Sequence, residues 1–222
     1  MDITKYTKPA RKLLPLRRCG AVIVAAGSAS RMGGIDKVMA PLKGEPMIVH
    51  TVRAFQTCDA ISEFVIVTRG DLILPITQLT NGFDKVTAVV LGGSSRQESV
   101  ANGMNALSDK CKLAAIQDGA RPLVTWQLID RVVRAAHAHN AAIPVIPVKD
   151  TIKVCNSALV VNTPDRATLR AVQTPQVFDF DLLRGALKKA AEDGAEVTDD
   201  CSAEERLRLL SGIREEDRKS VV

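Results

Sequence analysis

The amino-acid sequence predicts an α/β domain with a Rossmann-like, doubly wound, mostly parallel sheet and a projecting β-hairpin arm. Three observations predict it. Short β-branched runs alternate with longer amphipathic stretches from residue 19 onward, the signature of strand–helix units. Hydrophobic residues make up 46% of the 222 residues but aromatics only 3%, so the core must be built from Ala, Val, Ile and Leu, as in strands covered by helices on both faces. The alternation breaks once, over residues 150–177, where two short extended runs flank Asn156-Ser157.

Taken in order, Ala21-Val22-Ile23-Val24 reads as a first buried strand and residues 45–57 as a helix. Phe64 to Val67 and Val86 to Leu91 read as the second and third strands, followed by a helix over 96–107. Leu113 to Ile116 is the fourth strand, 126–139 a helix, and Ala142 to Val148 the fifth strand. The break contains extended runs at Thr151 to Cys155 and Leu159 to Asn162, read as the arm. An excursion of that length from a compact domain is functional or an interface. Residues 179–191 return to helix. Length and pattern suit a single domain over 19–222, preceded by a basic leader, poorly ordered and solvated, over 1–18.

Charge narrows the classes of partner. The formal net charge is +5, but six of the 30 basic residues and one of the 25 acidic ones fall in residues 1–18. The remaining chain therefore carries 24 of each, which argues against a nucleic-acid-binding body. No run approaches the roughly 18 apolar residues of a membrane span. Five scattered cysteines without a Cys-x-x-Cys pair argue against a disulfide framework or a zinc site, and for reduced thiols in the cytoplasm.

The first strand runs straight into Ala25-Ala26-Gly27-Ser28-Ala29-Ser30-Arg31-Met32-Gly33-Gly34. Small residues let backbone amides approach a ligand, and successive loop amides form an anion-binding concavity. Arg31 and Lys37 add two cations, so the expected ligand is a polyphosphate. Neither the Gly-Lys-Ser/Thr ending of a Walker loop nor the Gly-x-Gly-x-x-Gly dinucleotide fingerprint is present. A structural turn flanked by surface cations is the competing reading of this segment alone.

Further motifs follow in order. These are Gly44-Glu45-Pro46, Gly92-Gly93-Ser94-Ser95-Arg96-Gln97-Glu98-Ser99, Gln117-Asp118-Gly119-Ala120-Arg121-Pro122, Asp150-Thr151-Ile152-Lys153, Gln173-Thr174-Pro175-Gln176-Val177-Phe178 and Thr198-Asp199-Asp200. Together with the first loop they resemble, over roughly residues 20–203, the 2-C-methyl-D-erythritol 4-phosphate cytidylyltransferases, a family of sugar nucleotidyltransferases. The resemblance implies transfer of CMP from CTP to a sugar-alcohol phosphate in isoprenoid biosynthesis. It implies that Arg31 and Lys37 stabilise the transition state. It implies that Ala25, Ala26, Gly27, Ala29, Gly92, Gly93, Ser99, Asp118 and Gly119 hold CTP. Arg121, Thr151, Arg166 and Thr198 would bind the acceptor. A Mg²⁺ held mainly by the CTP phosphates, with Asp118 as a candidate ligand, is implied by the same chemistry. The family's arm crosses to a partner subunit, which implies a homodimer.

Structural readings stand beside these. Ser99 also fits a helix-start hydroxyl, Asp118 and Arg121 a structural ion pair, and Arg166 a surface charge on the arm. The chain departs from the family in two places. Ala29 and Ser30 replace the usual Gly and basic residue, and residues 204–222 contain no Asn-x-Lys-x-Thr stretch, whose lysine contacts the acceptor phosphate in the family. That second departure leaves open a different acceptor such as ribitol 5-phosphate, or a catalytically impaired nucleotide-binding homologue.

Overall fold

The computed structural model describes residues 16–27 and 36–193. Strand β1 (Cys19–Ala25) is central. A two-stranded hairpin follows, β2 (Pro41–Leu42) and β3 (Glu45–Pro46), whose turn residues Lys43 and Gly44 both have positive φ, 51° and 86°. A two-residue turn of this hand matches the strand twist, and glycine takes the left-handed position without penalty. Helix α1 (Met47–Gln56) starts at Pro46, and strand β4 (Ile61–Thr68), helix α2 (Ile73–Thr80) and strand β5 (Val86–Leu91) complete the first half. The second half holds α3 (Arg96–Ala106), β6 (Leu113–Asp118), α4 (Trp126–His139), β7 (Ala141–Ala142), β8 (Val145–Pro147), β9 (Val154–Asn156), β10 (Leu159–Asn162), β11 (Arg170–Val172), β12 (Gln176–Asp179) and α5 (Phe180–Glu192).

The main sheet runs β5-β4-β1-β6-β12-β7, and β5, β4, β1 and β6 are mutually parallel. Both faces are covered. Ile23, Phe64, Ile66 and Leu113 pack under Ile48, Val52 and Phe55 of α1, Ile76 of α2 and Ile129 and Val133 of α4. Val22, Val65, Val67 and Ile116 pack under Val100 and Met104 of α3 and Leu183 and Leu187 of α5. The expected doubly wound sheet is therefore present, and the continuous hydrophobic strands follow from it. Helix α3 lies close because it carries glycine at the contact: a Cβ on Gly103 would fall 2.4 Å from Val22 Cγ1 and 2.7 Å from Val67 Cγ2.

Helix ends follow local chemistry. Thr125 Oγ1 accepts from Leu128 N–H at 3.3 Å to start α4, and Asn140 in the left-handed region (φ 66°) ends it. Asp179 caps α5 by accepting from the N–H groups of Asp181 and Leu182. Both helices bury residues at helical spacing, Ile129, Val132, Val133 and Ala136 in one and Leu183, Ala186, Leu187 and Ala190 in the other.

Three expectations need correction, and one helix escaped the sequence pattern. The helix read over 45–57 begins at Met47, because Glu45 and Pro46 pair in the β2–β3 hairpin. The fifth strand read over 142–148 is divided. Ala141–Ala142 joins the main sheet, whereas Val145–Pro147 pairs with Arg170–Val172 in a ribbon of its own. Pro144, which has no N–H to give a ladder, stands at the division. Residues 150–177 are not one arm. The separate hairpin is β9–β10, and Gln176 and Val177 sit in the main sheet, antiparallel to β6. Finally, α2 was not foreseen, since Pro75 and the β-branched residues around it mask a helix whose first turn tolerates proline.

The start of the domain is held by two of the basic residues counted with the leader. Arg17 Nη1 donates to Asp179 Oδ2 at 2.9 Å and its Nη2 to Ala136 O at 2.8 Å, at the end of α4. Arg18 Nη2 donates at 2.8 Å to Glu63 Oε2, while Glu63 Oε1 accepts from Ser108 N–H at 2.7 Å. Burial works against the Glu63 carboxylate, but the Ser108 N–H and the Arg18 guanidinium outweigh it and hold its pKa below the ordinary carboxylate value. A depressed pKa gives stability that is present above the unfolded value of about 4.3 and lost as pH falls through the folded one. Glu63→Gln is therefore expected to destabilise the fold by about 1–3 kcal/mol at pH 7. In urea titrations, the gap from wild type should narrow as the pH falls through the depressed folded pKa.

Candidate active site

Because β5, β4, β1 and β6 are parallel, their carboxyl ends lie along one edge, the edge where open α/β sheets bind ligands. The order places β4 on one side of β1 and β6 on the other, so the chain reverses direction at β1–β6 and leaves a crevice there. Strand β12 runs antiparallel, so its start, with Gln173 and Thr174 just before it, comes to the same edge. Residues far apart in sequence thereby come to one edge: Ala25 at the end of β1 with Ala26 and Gly27 after it, Arg69 after β4, Gly92 and Gly93 after β5, and Asp118 at the end of β6 with Gly119 and Arg121 after it.

The loop after β5 is tightly built. Gly92 N–H donates to Thr68 O at 2.8 Å, and a Cβ on Gly92 would lie 2.5 Å from Ala26 Cβ, so the β1 and β5 loops touch there. A Cβ on Gly93 would meet Glu98 Cγ at 2.2 Å. Ser99 is buried, and its Oγ accepts from Gly93 N–H at 3.0 Å and donates to Ser95 O at 2.8 Å. Ser95 Oγ caps α3 by accepting from Glu98 N–H at 3.1 Å. Glu98 turns back and accepts from both Ser94 N–H and Ser94 Oγ at 2.7 Å. The Ser94 side-chain and backbone donors lower the Glu98 pKa, so this brace is charged at neutral pH. This arrangement is a capping box reaching one residue further back. Its Ser-x-x-Glu spacing in Ser95–Glu98 is legible in the sequence, although sequence reasoning passed over it.

Asp118 stands at the end of β6 between two guanidiniums. Arg96 Nη1 donates to Oδ1 and Arg121 Nε to Oδ2, each at 2.8 Å. Arg121 Nη1 also donates to Gln173 Oε1 at 2.6 Å, and Asp118 N–H to Thr174 Oγ1 at 3.4 Å. The Asp118–Arg121 ion pair read from the sequence as a buried pair is present but half-exposed, with Arg96 and Gln173 added to it. Gly119 N–H donates to Val24 O at 2.8 Å, and its own carbonyl accepts from Thr51 Oγ1 of α1 at 3.0 Å, which fixes the turn against β1.

Lys37 lies in the short turn before β2. Val38 N–H donates to Asp36 Oδ1 at 3.1 Å, and Met39 N–H to Asp36 O at 3.2 Å. Its side chain is exposed and makes no ion pair with a described residue. Arg31, Ala29 and Thr198 lie outside the described residues. The arm residues do not join the cluster by any hydrogen bond or ion pair among the described residues. Thr151 is exposed, and Arg166 Nη1 donates instead to Lys149 O at 3.1 Å. Among the described residues the chain thus brings Ala25, Ala26, Gly27, Gly92, Gly93, Ser99, Asp118 and Gly119 to one edge, and Thr151 and Arg166 make no hydrogen bond or ion pair with them.

Among the described residues no group of three or more His, Cys, Asp or Glu is placed to hold a metal ion. One carboxylate at the edge, Asp118, is what Mg²⁺ uses when phosphates supply most of its ligands, and each Asp118 oxygen keeps a lone pair beyond its guanidinium partner. No described helix is long and apolar enough to cross a membrane.

Comparison with known proteins shows the family. A family model described as 2-C-methyl-D-erythritol 4-phosphate cytidylyltransferase matches residues 19–214. The protein of that name from Symbiobacterium thermophilum is 45% identical over 188 residues, which span 84% of this chain and 79% of that one. The one from Caldanaerobacter subterraneus is 39% identical over 206 residues, 90% and 91% of the two chains. A crystal structure of 4-diphosphocytidyl-2C-methyl-D-erythritol synthase from Anaerococcus prevotii superposes with a TM-score of 0.78 at 27% identity, covering 86% of this chain and 83% of that one. On these grounds the chain belongs to the 2-C-methyl-D-erythritol 4-phosphate cytidylyltransferase family.

Proposed function

We propose that the chain transfers CMP from CTP to 2-C-methyl-D-erythritol 4-phosphate in isoprenoid biosynthesis. The observation that carries this reading is the meeting of the β1, β5 and β6 loops at one sheet edge in a chain of this family. A phosphate oxygen of the acceptor attacks the α-phosphorus of CTP. The bond from that phosphorus to the oxygen bridging to the β-phosphorus breaks, and pyrophosphate leaves with the electron pair. The nucleophile is already anionic, so catalysis is mainly positioning and charge stabilisation.

Lys37 and Arg31 are assigned to the negative charge that builds on the α-phosphoryl oxygens. Ala25, Ala26, Gly27 and Ala29 line the triphosphate side. Gly92 and Gly93 give the base close access to backbone, and Ser99 holds that loop in shape from below. Asp118 would hold Mg²⁺, which when bound neutralises phosphate charge. Arg121, Thr151, Arg166 and Thr198 are assigned to the acceptor. Because Thr151 and Arg166 make no polar contact with the cluster within one chain, the reading includes a homodimer in which the β9–β10 ribbon meets a partner subunit. Val154, Leu159, Val160 and Val161 are 46–75% exposed, and a bare two-stranded ribbon with that much apolar surface calls for a cover. Reduced, buried Cys19, Cys58 and Cys111 suit a cytoplasmic enzyme.

Pyrophosphate release from CTP, measured with methylerythritol phosphate and with ribitol 5-phosphate at equal concentration, tests the reading. Release with the first acceptor is expected. Release only with the second, or none from folded protein, would overturn it. Gly92→Ala should raise KM for CTP about tenfold, because its methyl group forces the β1 and β5 loops apart at a cost of about 1–3 kcal/mol. Steady-state kinetics in CTP checks this, and KM for the acceptor should stay unchanged.

A further inference from the structure

Arg69 belongs to none of the motifs, yet it touches three segments of chain at the site edge. It follows β4 directly and stands beside the end of β1, since Thr68 is in register with Ala25. Its Nη1 donates to Gly27 O at 3.3 Å, where the chain leaves β1. Its Nη2 forms an ion pair with Asp36 Oδ2 at 2.8 Å, one residue before Lys37. Its Nε and Nη2 also pair with Asp71 Oδ1 and Oδ2 at 3.1 and 3.0 Å. The Asp71 fork, two residues along the same turn, sets the plane of the guanidinium, Nη1 reaches Gly27 O, and the buried Asp36 Oδ2 lies at ion-pair distance from Nη2 without a directed hydrogen bond. Only a planar fork serves three partners this way, and an ammonium is too compact to do so.

We propose that Arg69 is a positioning residue for cytidylyl transfer: by holding Gly27 and Asp36 together it fixes the Lys37 ammonium relative to the carboxyl ends of β1 and β4. This rests on the cytidylyltransfer reading above and adds to it a residue that acts through Lys37. The Arg69–Asp71 pair, 30% and 64% exposed, adds little to stability, whereas Asp36 is only 19% exposed, so loss of Arg69 also costs some stability and the Lys37→Ala background is what separates positioning from a structural role. The link matters because it joins two points flanking the β1 loop, one of them adjacent to the catalytic cation. A misplacement of about 1 Å costs up to about 100-fold in rate.

The test compares wild type, Arg69→Ala, Arg69→Lys and Asp36→Asn, each alone and combined with Lys37→Ala. Each single variant should lose about 10- to 100-fold in kcat with KM for the acceptor unchanged. In the Lys37→Ala background the same changes should cost nothing further, because the group they position is gone. Unchanged kcat in the single variants, or losses that persist in full without Lys37, would overturn the positioning role and leave the cytidylyltransfer reading standing. If Arg69→Ala does not fold, Arg69→Lys and Asp36→Asn decide by the same criteria. A folded wild-type chain without turnover overturns both readings together.

Discussion

Lys37→Ala is expected to lower kcat for pyrophosphate release by about 10²–10³-fold, or roughly 2.7–4 kcal/mol of transition-state stabilisation. The cause is local. The α-phosphoryl oxygens gain charge only as the new bond forms, so a fixed ammonium is worth most at that moment. Lys37 sits on a turn braced by Asp36, exposed and unpaired among the described residues, so its charge is available to a ligand. KM for CTP should change by no more than a few-fold, since the triphosphate keeps its other contacts. Arg31→Ala should behave alike if both cations serve the same oxygens. The pair measured together should fall short of the sum of the single losses. Steady-state kinetics on the four proteins is sufficient. An unchanged kcat in Lys37→Ala would remove this residue from the mechanism.

The largest effect on stability is expected at Phe178. Phe178→Ala should cost about 3–5 kcal/mol, out of the 5–15 kcal/mol typical of a domain. Its ring is fully buried among Val22, Ile116, Leu183 and Leu187, on the face covered by α3 and α5. Its backbone pairs with Ala114 of β6 and Ala141 of β7, two small neighbours that cannot expand into the vacated space. Denaturant titration should show a lower midpoint at nearly constant slope. Phe178→Leu, which keeps most of the volume, should cost less than half as much. The damage should reach the site as well. Strand β12 delivers Gln173 and Thr174 to Asp118 and Arg121, so a loosened β12 frees the Arg121 guanidinium from Gln173.

Much of the fold was legible one element at a time. The runs around Val22, Ile66 and Val89 are β-branched, the run around Ile116 is apolar, and all four are strands of the main sheet. The periodic stretch 126–139 is a helix with the same ends, because its cap at Thr125 and its apolar spacing agree. The loops that carry Ala26, Gly92 and Asp118 were legible as glycine-containing segments at strand ends. What stayed hidden was non-local. Strand β12 is four residues long with a polar residue at each end, too short for a pattern to announce it. The contacts of Arg121 with Gln173 and of Arg69 with Gly27 span 52 and 42 residues. No window of sequence contains both partners of either pair.

The division between the two levels has one physical origin. Side-chain periodicity records which face of an element avoids water, and that preference is local to the chain. By itself the sequence therefore determined the doubly wound α/β class, the neutral body, the glycine-lined loop after β1 and the order of motifs that marks the family. Which strands become neighbours, and which polar groups must then satisfy one another, is settled only when the sheet closes between its helix layers. That packing inserted β12 against the parallel strands, put two guanidiniums on Asp118, and made Arg69 the tie between Gly27 and the turn that carries Lys37.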